Sequence, residues 1–189
     1  CDATRQRIEV VAAFEHRDDA PLRMARGQSL DLSGTPGIVV LDQRQPCAIC
    51  FVDLDDFARI NSAHGQHVGD EVLKAVASFF ATHLRGYDTL FRLGGEEFLL
   101  CLPNIDLDQA GTLINRLREK LAAHTFAVGE SRNQLTASFG LVNLEPIFFI
   151  DETLERVERA QLIAKSEGGN RVCIWHDGFE ADALPESLS

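Results

Sequence analysis

Apolar residues recur along this 189-residue chain with two different spacings, and each spacing predicts one kind of element. Apolar positions three and four residues apart are typical of amphipathic helices. This spacing covers residues 3–18, 70–84, 106–124 and 151–169. A shorter helix is predicted to begin after residue 54, where Asp55 or Asp56 is placed to cap it.

The strand-like segments are shorter and more uniformly apolar. "CAICFVDL", residues 47–54, is a continuous apolar run that ends in an acid, which predicts a buried strand. "TLFRL" and "EFLLCLP" flank Gly94 and Gly95, which predicts a hairpin with both glycines at the bend, because both can take positive φ. Residues 133–144 and 170–176 complete the predicted strands. The fold class is therefore α+β, a central and mostly antiparallel sheet covered by helices.

Composition and charge narrow the classes of partner. The chain is 45% hydrophobic and 25% charged, as in ordinary globular domains, and no apolar run reaches the roughly 18 residues that span a bilayer. The formal net charge of −11 argues against nucleic acid as a partner, because binding a phosphate backbone needs a basic surface. A nucleotide whose phosphates are carried by a metal ion remains compatible with this charge.

Five cysteines scattered through apolar surroundings predict a reducing compartment, and hence a cytoplasmic location. "CAIC" has the spacing of half a metal knuckle. On a strand, however, Cys47 and Cys50 face opposite sides, and no second pair follows. We therefore expect these cysteines to belong to the core.

The stretch "RLGGEEFLL" sets two adjacent carboxylates, Glu96 and Glu97, at the predicted bend. Taken alone, they could be solvated turn residues. Asp53, however, ends the buried strand, and a hairpin beside that strand would bring Asp53 and Glu96 together. Two such carboxylates repel each other unless a cation lies between them, and hard oxygen ligands suit Mg²⁺. The start of the next helix would offer free N–H groups to phosphates.

These residues carry a resemblance to a known family. "FVDLDDFARINSAHGQHVGDEVL" followed by "RLGGEEF", "TASFG" and "AKSEGGNRV" resembles the GGDEF family of diguanylate cyclases in its GGEEF variant, from about Pro21 to Trp175. The resemblance implies a fold similar to the palm of nucleotide cyclases and polymerases. It also implies condensation of two GTP into cyclic di-GMP, with release of pyrophosphate, by a homodimer of domains.

The same resemblance assigns the metal ligands. Asp53 and Glu96 would be the catalytic residues. Their carboxylates would hold Mg²⁺ (or Mn²⁺), helped by the backbone carbonyl of Leu54. Glu97 could contribute to the same site. Removal of either Asp53 or Glu96 is expected to abolish turnover.

The family also implies where GTP binds. Asn61 and Asp70 would read the guanine edge, which offers both acceptors and donors to an amide and a carboxylate. Backbone N–H groups near Asp56 and Phe57 would meet the phosphates, and Lys165 would neutralise them.

"RGYD" places Arg85 and Asp88 upstream of the glycines. Any such pair can be a plain surface ion pair, which contributes little stability. The RxxD of this chain, at its spacing from the GGEEF signature, resembles the site at which members of this family are inhibited by their product, cyclic di-GMP. We therefore expect Arg85 and Asp88 to bind the product.

Several departures from the family pattern favour an alternative. The first motif of the family is eroded, and Gly169 stands where an arginine normally helps to hold phosphates; Arg171 or Lys74 could substitute. Loss of one charge-assisted contact costs roughly 1.5–3 kcal/mol. The alternative is a degenerate, non-catalytic module that binds GTP or cyclic di-GMP and signals through partners.

The predicted domain organisation has three parts. Residues 1–20 form a connecting, signalling helix, residues 21–178 the GGDEF domain, and residues 179–189 a tail. Because the chain begins at Cys1 rather than Met, we expect a sensor domain, and any membrane tether, in parts of the protein outside this chain.

Overall fold

A computed structural model describes residues 46–144 and 150–176 of the chain. The predicted connecting helix and the predicted tail lie outside these residues. Within the described ranges, no helix is both long enough and apolar enough to cross a bilayer. The elements in chain order are β1 (Cys47–Leu54), α1 (Phe57–His64), α2 (Gln66–His83), β2 (Thr89–Gly94), β3 (Glu97–Pro103), α3 (Leu107–Ala123), β4 (Thr125–Val128), β5 (Ser131–Gln134), β6 (Ala137–Asn143), α4 (Ile150–Ser166) and β7 (Val172–Ile174).

Five strands form the main sheet in the order β2-β3-β1-β6-β7. All neighbouring pairs are antiparallel except β6 and β7, which are parallel. The predicted α+β class with a mostly antiparallel sheet is thus confirmed. β1 is the central strand, and all eight of its residues are buried, as its uninterrupted apolar run predicts.

The two faces of β1 belong to two different apolar clusters. Ala48, Cys50 and Val52 face the larger cluster, to which α2 and α3 contribute, while Cys47 and Ile49 face the smaller one with α4. The expectation that the two cysteines of "CAIC" lie in the core on opposite faces is therefore confirmed. Alternation along β1 also decides which side chains at its carboxyl end meet α4.

α4 packs very closely on β6, and a glycine makes this approach possible. A Cβ atom at Gly140 would overlap the carbonyl oxygen of Val157 and lie 2.5 Å from the backbone nitrogen of Gln161. The glycine of "TASFG" therefore sets the distance between α4 and the sheet.

The hairpin bend differs from the prediction. β2 extends to Gly94, which pairs with Glu97, so the turn residues are Gly95 and Glu96. Of the two glycines only Gly95 has a positive φ, +47°, so the prediction that the bend lies at Gly94 and Gly95 was wrong by one residue. The shift by one residue places Glu96 in the turn and Glu97 at the first position of β3.

The short second hairpin, β4 and β5, was not predicted. Its sequence, "TFAVGESRNQ", is polar around the turn glycine, Gly129 (φ +57°), and only Phe126 is a large buried residue. Residues 133–144 were predicted as one strand, but the structure divides them between β5 and β6. An alternation of apolar and polar residues as weak as this one does not distinguish a hairpin from a loop.

Helix starts also differ from the sequence pattern. α2 begins at Gln66, before the predicted start at residue 70, because Gly65 (φ +84°) turns the chain directly from α1 into α2. Asp56 is the N-terminal flanking residue of α1, but it has φ +53° and its side chain makes no capping hydrogen bond. Asp55 does not cap α1 either, since its carboxylate is bound elsewhere.

Candidate functional site

The carboxyl end of β1 meets the β2–β3 hairpin, as the sequence predicted. Asp53 lies directly opposite Glu97 in the antiparallel register, so the two side chains share one face of the sheet. The N–H of Leu54 donates to the carbonyl oxygen of Glu96 over 3.3 Å. One strand end and one turn thus bring the three predicted acidic residues into one neighbourhood.

Burial and nearby negative charges raise the pKa of two of these acids, Asp53 and Glu97. Burial raises the pKa of Asp53, and the charges of Glu96 and Asp55 raise it further. Burial is also the main reason why the pKa of Glu97 is raised, followed by the charges of Asp53 and Glu96. A cation bound nearby would favour the ionised forms of Asp53 and Glu97 and so stabilise the site.

Lys165 supplies one such cation. Its Nζ lies 2.6 Å from Oδ1 of Asp53, whose side chain is 12% exposed. This ion pair acts against the rise in the pKa of Asp53. Lys165 comes from the last turn of α4, so the packing of α4 on the sheet determines where this ammonium group stands.

The donor set at this strand end fits a hard divalent ion only in part. Within the described ranges, no three His, Cys, Asp or Glu side chains form a cluster that could hold a metal ion by themselves. Mg²⁺ commonly binds one or two carboxylates and completes its coordination with water and substrate phosphates. Asp53, Glu96 and the carbonyl of Leu54 fit that mode, in which the nucleotide brings the remaining oxygens.

Asn61 and Asp70, the predicted guanine-reading residues, lie on the two helices that follow β1. A Cβ atom at Gly69 would overlap Oδ1 of Asn61, so the amide of Asn61 rests directly on the first turns of α2. Asp70 is the next residue in the chain and is exposed. The glycine therefore allows the amide and the neighbouring carboxylate to occupy the same surface.

The predicted phosphate-binding N–H groups lie at the start of α1. The first N–H groups of a helix have no acceptor within the helix. The side chain of Asp56 does not cap them and points toward Arg59, with Oδ2 3.9 Å from Nη1 in a highly exposed pair. The helix start is thus left open to an anionic ligand.

Asp55 was missed as a functional candidate, since the sequence suggested only a helix cap. Its carboxylate accepts hydrogen bonds from the hydroxyls of Thr136 and Ser138 and from the N–H of Asn170. No local pattern could have revealed these bonds, because the partners lie about 80 to 115 residues further along the chain.

The two residues suggested as substitutes for the missing arginine are engaged locally. Nη1 of Arg171 lies 2.6 Å from Oε2 of Glu167, and Nζ of Lys74 lies 2.8 Å from Oε1 of Glu71. That Arg171 or Lys74 takes over the phosphate contact of the arginine missing at position 169 stays a prediction.

Arg85 and Asp88 form a closed pair. Nη2 of Arg85 lies 2.7 Å from Oδ1 of Asp88, and Nε lies 3.0 Å from both carboxylate oxygens. The Asp88 side chain is fully covered, whereas that of Arg85 is 26% exposed and lies over the ring of Tyr87. Only the arginine of this pair reaches solvent.

This fold, with acidic residues at the end of its central strand, identifies the class of domain to which the chain belongs. Residues 37–171 match the family model described as "Diguanylate cyclase, GGDEF domain". The chain belongs to the GGDEF family, as the motifs predicted. The matched range lies inside the predicted domain, 21–178, whose boundaries stay a prediction.

Individual relatives and solved structures agree with this membership. The chain is 38% identical over 128 residues to the diguanylate cyclase DgcM of Escherichia coli, a match that covers 68% of this chain and 30% of that protein. It is 31% identical over 170 residues to DgcP of Pseudomonas aeruginosa, covering 90% of this chain and 22% of that one. The active GGEEF domain of a Vibrio cholerae diguanylate cyclase superposes with a TM-score of 0.65 at 32% identity, over 70% of this chain and 85% of that one.

These matches also set the scope of the likeness. The chain spans less than a third of the length of DgcM and DgcP. The similarity therefore concerns one domain of larger proteins.

Proposed function

We propose that this chain is the catalytic domain of a diguanylate cyclase, which condenses two GTP molecules into cyclic di-GMP and releases two pyrophosphates. The observation that carries the proposal is the meeting of Asp53, Glu96 and Lys165 at the carboxyl end of β1. These are the positions at which the GGEEF signature implies metal and phosphate binding. Membership of the GGDEF family and the similarity to named diguanylate cyclases support it.

The reaction consists of two equivalent phosphoryl transfers. The 3′-oxygen of one GTP attacks the α-phosphorus of the other, and the bond from that phosphorus to the oxygen bridging to the β-phosphate breaks. The 3′-hydroxyl proton leaves to solvent, and pyrophosphate departs. The reciprocal attack closes the ring. Such transfers depend chiefly on positioning and on neutralising charge on the phosphates.

Each named residue has a role in that positioning. Asp53, Glu96 and the Leu54 carbonyl would hold Mg²⁺ or Mn²⁺, with Glu97 alongside; a bound divalent ion neutralises phosphate charge and makes a hydroxyl more acidic. Lys165 would bind phosphate oxygens.

The base and the remaining phosphate contacts would come from the two helices after β1. Asn61 and Asp70 would bind the guanine edge. The backbone N–H groups at the start of α1, near Asp56 and Phe57, would also donate hydrogen bonds to the phosphates.

One assay tests the proposal. The protein is incubated with GTP and Mg²⁺, and the nucleotides are separated by chromatography; we expect cyclic di-GMP and pyrophosphate in a 1:2 ratio. Asp53→Asn and Glu96→Gln should each abolish product, whereas Arg132→Ala, on the exposed surface of β5, serves as the matched control. Absence of product from the folded parent protein at saturating GTP would overturn the proposal.

The degenerate module stays the second candidate because of Gly169. This residue packs against Asp55 rather than offering a cation, so one phosphate contact of the family pattern is lacking. Binding of GTP or cyclic di-GMP in calorimetry, together with absence of turnover, would favour the module.

Catalysis across a homodimer and inhibition by product belong to the same proposal. One domain offers one set of guanine-binding residues, whereas the reaction needs two GTP molecules in opposed orientation. Turnover per domain should therefore rise with protein concentration. Arg85 and Asp88 are proposed to form the inhibitory cyclic di-GMP site.

A further inference from the structure

Asp55 connects three segments that are far apart in the sequence. Oδ2 accepts from Oγ1 of Thr136 over 2.7 Å and from the N–H of Asn170 over 2.9 Å. Oδ1 accepts from Oγ of Ser138 over 2.7 Å. The N–H of Asp55 also donates to the carbonyl of Thr136 over 2.9 Å. Hydrogen bonds to a carboxylate are stronger than those between neutral groups, so this junction is firmly fixed.

The loop that Asp55 binds also ends α4. We call residues 167–171 the α4 loop. Its Gly168 N–H donates to the carbonyl of Lys165 over 3.0 Å, and its Gly169 N–H donates to that of Ala164 over 3.1 Å. These bonds satisfy carbonyls in the last turn of α4. The loop is therefore joined by hydrogen bonds to the turn that carries Lys165.

Gly169 lets the α4 loop close over the carboxylate. A Cβ atom at this position, where φ is +69°, would lie 3.1 Å from Cγ and from both oxygens of Asp55. Arg118 holds the same loop from the other side, since its Nη1 donates to Oδ1 of Asn170 over 3.0 Å. Glycine adopts this positive φ without strain and leaves more room for the Asp55 carboxylate than a residue with a Cβ would.

Asp53 and Asp55 bind the same end of α4 in two different ways. Asp53 does so through the side chain of Lys165, with 2.6 Å between Nζ and Oδ1, and Asp55 through the backbone of Asn170. Binding of a nucleotide would require Lys165 to turn from Asp53 toward phosphate. The bonds of Asp55 do not involve Lys165 and would persist through that exchange.

From this geometry we infer that Asp55 is a positioning residue for the reaction: it anchors the α4 loop and so keeps Lys165 within reach of the nucleotide phosphates. The part that concerns the nucleotide rests on the proposed function. The anchoring of the loop does not, and the two can be tested separately.

A double-mutant cycle tests the nucleotide part. Asp55→Asn keeps the shape of the side chain but removes its charge and turns one acceptor into a donor; we expect about tenfold weaker GTP binding in calorimetry with Mg²⁺. In a Lys165→Met background, the same change should add less than about twofold, because the residue acts through Lys165. Independent, multiplicative losses would overturn the inference. Asp108→Asn, on the exposed surface of α3, is the control for loss of one carboxylate.

Hydrogen exchange tests the anchor without any nucleotide. In Asp55→Asn, the amide of Asn170 should exchange about tenfold faster than in the parent, since its acceptor is weakened. Gly169→Ala, which presses on the same carboxylate without removing its charge, should give the same result and serves if Asp55→Asn is poorly folded. Unchanged exchange in the folded variants would overturn the inference. If the parent fails to bind GTP but Asn170 responds as expected, the proposed function fails while the anchor stands.

Discussion

Nζ of Lys165 lies 2.6 Å from Oδ1 of Asp53, so α4 supplies a cation to the acid that ends the central strand. The same strand end faces Glu97 across the register and touches the hairpin turn at Glu96. In this arrangement Lys165 neutralises part of the negative charge of Asp53, which the proposed metal ion would neutralise more fully.

Removal of the lysine should destabilise the fold through Asp53. Lys165→Met leaves the buried carboxylate without its partner, and we expect the free energy of unfolding in urea to fall by about 1–2 kcal/mol. This is less than for a fully buried pair because the Lys165 side chain is 37% exposed. Adding Asp53→Asn to Lys165→Met should restore most of the loss. A double variant no more stable than Lys165→Met would show that the pair contributes nothing measurable.

Gly140→Ala should be among the most destabilising single changes in the described region. The new Cβ would overlap the carbonyl of Val157, which belongs to the helix backbone and cannot rotate away. We expect a loss of about 3 kcal/mol or more in urea denaturation. Gly94→Ala is the matched control, since its Cβ would meet nothing within 4 Å, and it should change stability by less than about 1 kcal/mol.

Gly69→Ala separates ligand binding from stability. Alanine is favoured over glycine in a helix by about 1 kcal/mol, which offsets the displacement of the Asn61 side chain. We therefore expect a nearly unchanged melting temperature but an approximately tenfold higher KM for GTP, because the guanine loses a hydrogen bond.

The control for Gly69→Ala is the Asn61→Ala background, in which the glycine change should have little further effect on KM. If Gly69→Ala alone leaves KM for GTP unchanged, Asn61 does not read the base.

The sequence predicted the parts of this site that depend on local pattern. The apolar run of β1 placed Asp53 at the end of a buried strand, and the glycine pair placed Glu96 and Glu97 at a rim. It could not predict the bonds of Asp55 to Asn170 or the contact of Gly140 with α4, because these depend on how distant segments pack. The β4–β5 hairpin was missed because its sequence lacks a clear alternating pattern, with Phe126 as its only large buried residue.

The core thiols should resist alkylation in the native state. Burial raises the pKa of Cys47 to about 11, and it raises those of Cys50 and Cys101 further. Because the thiolate is the nucleophile, a thiol with this pKa is only about one part in a thousand ionised at pH 8, and its reactivity should rise about tenfold per pH unit up to pH 11. In a Cys1→Ser variant, we expect iodoacetamide to label Cys173 first by mass spectrometry, since it is only half-buried.

The protein unfolded in urea is the control for the thiol prediction, because its cysteines are no longer buried. In urea, all labelled cysteines should react at similar rates. Rapid labelling of Cys50 or Cys101 in the folded protein at pH 8 would contradict the burial of these thiols.

Product inhibition should depend on Arg85, and we expect Asp88 to contribute by holding Arg85 in place. The Asp88 side chain is fully covered and binds two nitrogens of the Arg85 guanidinium, so it holds Arg85 in place. We therefore expect Arg85 to be the member of the pair that meets the ligand. Arg85→Ala should raise the cyclic di-GMP concentration for half-inhibition by at least about tenfold, since a hydrogen bond from a charged group is lost. It also leaves Asp88 buried without its partner, so Arg85→Ala/Asp88→Ala should be more stable than Arg85→Ala alone while remaining uninhibited. Arg132→Ala should be inhibited like the parent. Inhibition of Arg85→Ala at the parental concentration would remove Arg85 from the product site.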